Sequence, residues 1–221
     1  MPELSVLVTS CDKYSHLLPY FTKLFDRYWG PKDKYPKYIS LEGENVLFDG
    51  YTTLITGDVN WSNSLQIALK SITTPYVFLI FDDFFPVRTI PNESIENAIK
   101  ISNERQLDKY VFHYPHVVFT NKLDPTDVAD NVYQVHQDAE YTMTVQPGIW
   151  RTEFLRERLD GENPWEFEIN GSTRANKAGH KIYMEVINTG FHKEAMSRGQ
   201  FTSDYYETLK RENLLLRVYY F

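Results

Sequence analysis

76-YVFLIFDDFF-85 sets a run of apolar and aromatic β-formers directly before two adjacent aspartates. A strand that apolar is buried on both faces, as in the middle of a parallel sheet. Neighbouring carboxylates at its carboxyl end repel each other and resist desolvation. Upstream, 4-LSVLVTSC-11 reads as a buried strand ending in small polar residues. The segment 15-SHLLPYFTKLFDRYW-29 reads as a helix with Leu17, Phe21, Leu24, Phe25 and Tyr28 on one face. Pro19 suits only its first turn, and Gly30 and Pro31 stop it. Next come short strands at 37-KYISLE-42 and 52-TTLIT-56, then a helix at 62-SNSLQIALKSI-72 with Ser62 as its N-cap. Alternating strands and helices imply βαβ crossovers and a mostly parallel sheet.

The second half is less regular. A helix is expected at 92-NESIENAIKISNER-105, capped by Asn92, and a strand at 109-KYVFHY-114. The segments 131-NVYQVH-136 and 140-EYTMTV-145 read as two more strands, in an antiparallel part. Short helices follow at 152-TEFLRERL-159 and from 163-NPWEFE-168, then a strand at 181-KIYMEV-186 and a last amphipathic helix around 203-SDYYETLKRENLLLRV-218. No repeat or linker divides the 221 residues, so one domain is expected, with a nucleotide-binding half to about residue 90 and an acceptor-binding half beyond it.

Hydrophobic residues at 42% and charged residues at 24% are ordinary for a globular protein, while aromatics at 15% also suit sites that grip rings. A net charge of −7 argues against nucleic acid or an anionic membrane as partner. The single cysteine, Cys11, gives neither a disulfide framework nor a zinc cluster. The N-terminus lacks a signal peptide's features and no apolar run is long enough to span a membrane, so the expectation is a cytoplasmic protein.

Ligands of open α/β sheets bind outside the carboxyl ends of the strands, where Asp82 and Asp83 fall. Side chains alternate along a strand, so the two share a task only if the chain turns between them. One carboxylate can hold Mn²⁺ or Mg²⁺ while the other orients a ribose or the metal's surroundings. The competing reading is that the pair merely caps a turn enforced by Pro86.

The first strand ending in Thr-Ser, the segment 57-GDVNWSNSLQIAL-69 and the strand bearing 82-DD-83 together resemble a GT-A glycosyltransferase. The likeness extends to 146-QPGIWRTEFL-155 and 163-NPWEFE-168, which resemble small inverting enzymes of bacterial surface polysaccharides and large DNA viruses. It implies a Rossmann-like fold that binds a metal and a nucleoside-diphosphate sugar, UDP being the first choice and dTDP or GDP alternatives. One departure is Phe84, which stands where an Asp-x-Asp motif has its second carboxylate. The resemblance assigns Asp83 to the metal and Asp82 to a ribose or metal-bound water. It also assigns Thr9, Ser10, Asp12 and Tyr14, with Asp58, Trp61 and Ser62, to the nucleotide, and His192 to the metal as a late ligand. Asp12 reads equally as a helix cap, and Trp61 as a staple.

Inverting transfer needs a carboxylate to take the acceptor hydroxyl's proton, and the candidates are Glu168 and Glu166. Asn163 as N-cap, Pro164 at the first position and Glu166 three residues after the cap form a capping-box pattern. Glu166 therefore has a structural task already, which favours Glu168 as the base. Gln146, Gly148, Trp150 and Trp165 resemble an acceptor or sugar floor, although 146-QPGIW-150 reads equally as a turn with Trp150 in the core. Arg198 and Lys193 sit in a loop that can offset diphosphate charge, and His113 and His116 are further acceptor candidates. A nucleotidyltransferase would want a Gly-rich basic loop after the first strand, and 9-TSCDKYSHLL-18 has no glycine. A non-catalytic glycan-binding module has no use for paired carboxylates at a strand end.

Overall fold

All six residues of β1 (Leu4–Thr9) are buried, as are all of β4 (Tyr76–Phe81) up to its last, and the two strands pair in parallel from Leu4↔Tyr76 to Thr9↔Phe81. That double burial is what their apolar sequences require. The computed structural model describes residues 2–43, 46–113, 122–187 and 190–214. Around the central pair the chain builds α1 (Leu18–Tyr28), β2 (Lys37–Leu41), β3 (Tyr51–Ile55), α2 (Trp61–Lys70), β5 (Phe84–Pro86), α3 (Asn92–Arg105) and β6 (Lys109–His113). The remaining elements are β7 (Leu123–Pro125), β8 (Val132–Val135), β9 (Gly148–Arg151), α4 (Thr152–Arg158), α5 (Pro164–Glu166), α6 (Ser172–Ala178), β10 (Ile182–Val186), β11 (His192–Glu194), β12 (Met196–Ser197), β13 (Gln200–Phe201) and α7 (Ser203–Arg211).

Nine strands form one sheet in the order β3-β2-β1-β4-β9-β6-β10-β8-β7. Strands β1 to β4, β6, β7 and β10 run in one direction, while β9 and β8 are reversed. The carboxyl ends of seven strands therefore share one edge. One face packs on α1 and α3, with Phe21, Phe25 and Trp29 stacked in series at 5.6 and 4.9 Å. The other face buries Leu65, Leu69, Trp150, Phe154 and Phe167 beneath α2, α4 and α6. The fold is thus the expected Rossmann-like α/β architecture with an antiparallel part. Among the described residues no helix is long and apolar enough to cross a membrane.

Several local expectations are corrected. The first helix begins at Leu18, because Asp12–Leu17 forms a 3₁₀ stretch and Pro19 falls within the first turn. Asn60, not Ser62, caps α2, accepting from the Asn63 amide at 3.0 Å. Pro91 rather than Asn92 is the N-cap of α3. Residues 140–143 form a turn and 144–145 are irregular, and the strand of that region is β9, inserted between β4 and β6.

Gly148 and Trp150 consequently belong to the core. Trp150 is fully buried and presents no face to a sugar. A Cβ on Gly148 would lie 2.8 Å from the Tyr110 carbonyl oxygen of β6. Gly148→Ala is expected to cost about 1–3 kcal/mol through overpacking. Urea unfolding checks this, and a variant as stable as the wild type would contradict the tight β6–β9 contact.

Candidate active site

The chain leaves β4 and turns at once through Asp82 and Asp83 into β5, the turn between the two residues that joint action requires. Asp82 is 4% exposed. Its amide donates to the Thr9 carbonyl at 3.2 Å, and Ser10 Oγ donates to its Oδ2 at 2.5 Å. Burial pushes its carboxyl well above the ordinary range; the Ser10 bond opposes this and the Asp83 charge adds to it. Asp83 is pushed up to about 7, first by burial and then by the Glu194 charge. Glu194 arrives on β11, which pairs with β5 at Glu194↔Phe84, and the Ala195 amide donates to the Asp83 carbonyl at 2.7 Å. Among the described residues no Lys, Arg or His lies within ion-pair distance of Asp82, Asp83 or Glu194. Asp82 and Asp83, with the Glu194 charge in reach of Asp83, thus sit at the sheet edge without a neutralising cation among the described residues.

The first loop is built around the same edge. Asp12 accepts from the Glu42 amide at 3.0 Å and from the Gly43 amide at 3.0 Å, which ties the loop after β1 to the loop after β2. Thr9 is 1% exposed, so it serves Asp82 through its backbone and does not face a ligand. Tyr14 is half-buried, and a Cβ added at Gly199 would sit in ordinary contact with its hydroxyl, at 3.9 Å. Gly199 and Arg198, with φ of 76° and 50°, make the tight turn of the β12–β13 hairpin. That hairpin therefore reaches from Asp83 to the first loop, with Arg198 exposed at its tip.

At the same carboxyl edge of the parallel strands Asp58 is exposed in the loop after β3. The α2 N-terminus is not open to an anion: the Ser62 amide donates to the Glu162 carbonyl at 3.1 Å, and Ser62 Oγ accepts from the Gly161 amide at 3.1 Å. Trp61 stacks on Phe81 at 5.9 Å and meets Phe167 edge-on at 5.3 Å. These rings link the aspartate turn to the segment bearing Glu166 and Glu168.

Asn163 and Glu166 close the expected capping box. Glu166 is exposed, as is Trp165 at 71%. A single π-turn, Phe167–Gly171, then joins α5 to α6 and re-aims Glu168 inward. Glu168 Oε1 accepts from Thr144 Oγ1 at 2.9 Å and from the Val145 amide at 2.8 Å. Gln146 follows in the same segment, half-buried.

The expected late metal ligand is not gathered with the pair. His192 stands opposite Pro86, its ring 4.7 Å from Phe84, and the register brings Glu194 beside Asp83 instead. Among the described residues no set of three His, Cys, Asp or Glu side chains is arranged to hold an ion. His116 lies outside the described residues, as does the side chain of His113. Sequence reading missed Glu194, Glu42, Lys109 and Thr144; the alternating 192-HKE-194 was the one local signal of a strand there. A cleft lined by Glu3, Lys34, Tyr35, Glu96 and Asn103 lies at the opposite edge and shares no residue with this site.

No family model and no curated protein matches the chain. Solved structures do. Staphylococcus aureus TarS 1–349 in complex with UDP is 13% identical at a TM-score of 0.59, with 94% of this chain and 63% of that one covered. The same protein is solved with UDP-GlcNAc. A homolog of Mycobacterium tuberculosis rv0371c from Mycobacterium sp. strain JC1 is 14% identical, TM-score 0.56, covering 96% of both chains. CMP:2-keto-3-deoxy-manno-octonic acid synthetase with CTP is 11% identical, TM-score 0.55, covering 96% of this chain and 98% of that one. The chain spans less than two thirds of TarS 1–349. At these identities the likeness shows the fold, which is the GT-A type.

Proposed function

We propose that the chain is a glycosyltransferase that moves a sugar from a nucleoside-diphosphate sugar, UDP first among carriers, to a saccharide or glycan acceptor with inversion, using Mn²⁺ or Mg²⁺. The observation that carries this reading is the Asp82–Asp83 turn, two desolvated carboxyls at the end of the central strand with no Lys, Arg or His paired to them among the described residues. Desolvated carboxyls of that kind are disfavoured as bare anions and gain a counter-charge when a hard divalent cation takes the place of their protons. Asp83 would hold it, and Asp82 would fix the first loop through Ser10. Because few side chains converge there, diphosphate oxygens and water would fill the rest of the coordination sphere. When bound, the ion supplies Lewis-acid neutralisation of the leaving diphosphate.

The chain's own residues do the rest. Tyr14 and Asp58 flank the nucleotide, and Trp165 offers an exposed ring face to a sugar. Glu168 keeps Oε1 fixed by two donors, while Oε2 has no hydrogen-bond partner among the described residues. That second oxygen takes the acceptor hydroxyl's proton as the hydroxyl oxygen bonds to the anomeric carbon. The bond from that carbon to the diphosphate breaks, and its electron pair leaves with the diphosphate.

A nucleotidyltransferase is the second reading. It is favoured by end-to-end likeness to a synthetase solved with CTP and disfavoured by the glycine-free first loop. Thermal shift with UDP-, dTDP-, GDP- and CMP-sugars and CTP, each with and without Mn²⁺, separates them. Saturating UDP-sugar with metal is expected to raise Tm by about 5–10 °C, and metal or nucleotide alone far less. Stabilisation by CTP only would favour the second reading, and indifference to the whole panel would remove both.

A further inference from the structure

Lys109 opens β6 as a lysine with no exposed surface. Its cross-strand partner is Trp150, whose ring lies 4.0 Å beneath Nζ. Nζ donates to the Thr144 carbonyl at 2.5 Å and to the Thr142 carbonyl at 3.3 Å. Burying an amine so completely is costly unless its donors are satisfied, and here both acceptors lie in the one irregular segment that faces Glu168. Thr144 is held twice, its carbonyl by Lys109 and its hydroxyl by Glu168. Burial pushes the Lys109 amine well down, and the Glu168 charge pushes it back up, so the two groups lie within electrostatic reach.

We infer that Lys109 is a positioning residue that fixes Glu168 through Thr144 and the Val145 amide. This rests on the transferase reading with Glu168 as its base. Lysine fits the task because one flexible amine can donate to two carbonyls while packed over an indole face. The Thr144 hydroxyl then leaves Glu168 one orientation, with Oε2 outward. A merely structural lysine would stabilise the sheet without setting the geometry of the carboxylate.

The test combines turnover with amide exchange. UDP release is measured from UDP-GlcNAc with Mn²⁺ and a saccharide acceptor. Thr144→Val removes the hydroxyl at nearly constant volume and is expected to lower kcat about 10- to 100-fold, with donor KM within about twofold. Thr144→Ser is expected to restore kcat. In Lys109→Met the Val145 amide is expected to exchange at least about tenfold faster, while the Val6 amide keeps its rate. An unchanged kcat in Thr144→Val, or an unchanged Val145 exchange rate in Lys109→Met, overturns the inference. Should Lys109→Met not fold, the Val145 exchange rate in Thr144→Val decides in its place. If the wild-type protein turns over no donor while Val145 responds as stated, the transferase reading fails and the tether to Glu168 stands.

Discussion

Asp83→Asn is expected to abolish metal-dependent binding of UDP and, in the metal-free protein, to raise stability at alkaline pH. The first effect follows from replacing the one charged ligand that opens toward the cation, and turnover should fall by about 10³ or more with it. The second follows from proton linkage. The folded Asp83 carboxyl is raised to about 7 by burial and by Glu194. An unfolded aspartate ionises near about 3.9. Between these values the native state binds a proton that the unfolded state does not, so wild-type stability falls as pH rises through that window. Asparagine never ionises and removes this contribution, worth up to about 4 kcal/mol above pH 7 at about 1.4 kcal/mol per pH unit. A residual slope is expected from Asp82, which is shifted in the same direction. Urea unfolding at pH 5 and pH 8 measures it. Equal pH slopes in the two proteins would mean that Asp83 is not buried against Glu194.

Glu168→Gln should lower kcat by about 10²- to 10⁴-fold, the usual range for loss of a general base, while donor KM stays close to its original value. The glutamine carbonyl can still accept from Thr144 and Val145, so the segment keeps its place and the effect is chemical. Glu166→Gln is the control. It weakens the capping box, in which Glu166 Oε2 accepts from the Asn163 amide at 3.1 Å, and should cost about 0.5–1 kcal/mol with kcat unchanged. Steady-state kinetics of both variants decide the matter. A large kcat loss in Glu166→Gln with none in Glu168→Gln would move the base to Glu166.

Much of the first half was legible because its strands are buried on both faces and its helices carry one apolar stripe. Residues 4–9 and 76–81 have the composition of central parallel strands, and the turn after Phe81 falls at the two aspartates, as joint action needed. The capping box at Asn163–Glu166 was equally local and equally readable. What escaped depends on partners distant in sequence. Strand β9 has only four residues and earns its place between β4 and β6 through tertiary pairing, so 148-GIWR-151 carries no period to recognise. Glu194 reaches Asp83 only because β11 pairs with β5, more than a hundred residues earlier. Lys109 looks like a solvated strand end until Thr142, Thr144 and Trp150 are folded over it. Trp150, read as a sugar floor, is drawn into the core by that same pairing.

The most direct measurement is a crystal grown with UDP and Mn²⁺, with anomalous diffraction recorded at the manganese edge. The expected result is one manganese peak about 2.0–2.2 Å from an Asp83 carboxylate oxygen, bridged on its far side by the diphosphate. UDP seated at the sheet edge with no metal at Asp83, or manganese bound elsewhere while Asp82 and Asp83 stay engaged only with the protein, would contradict it.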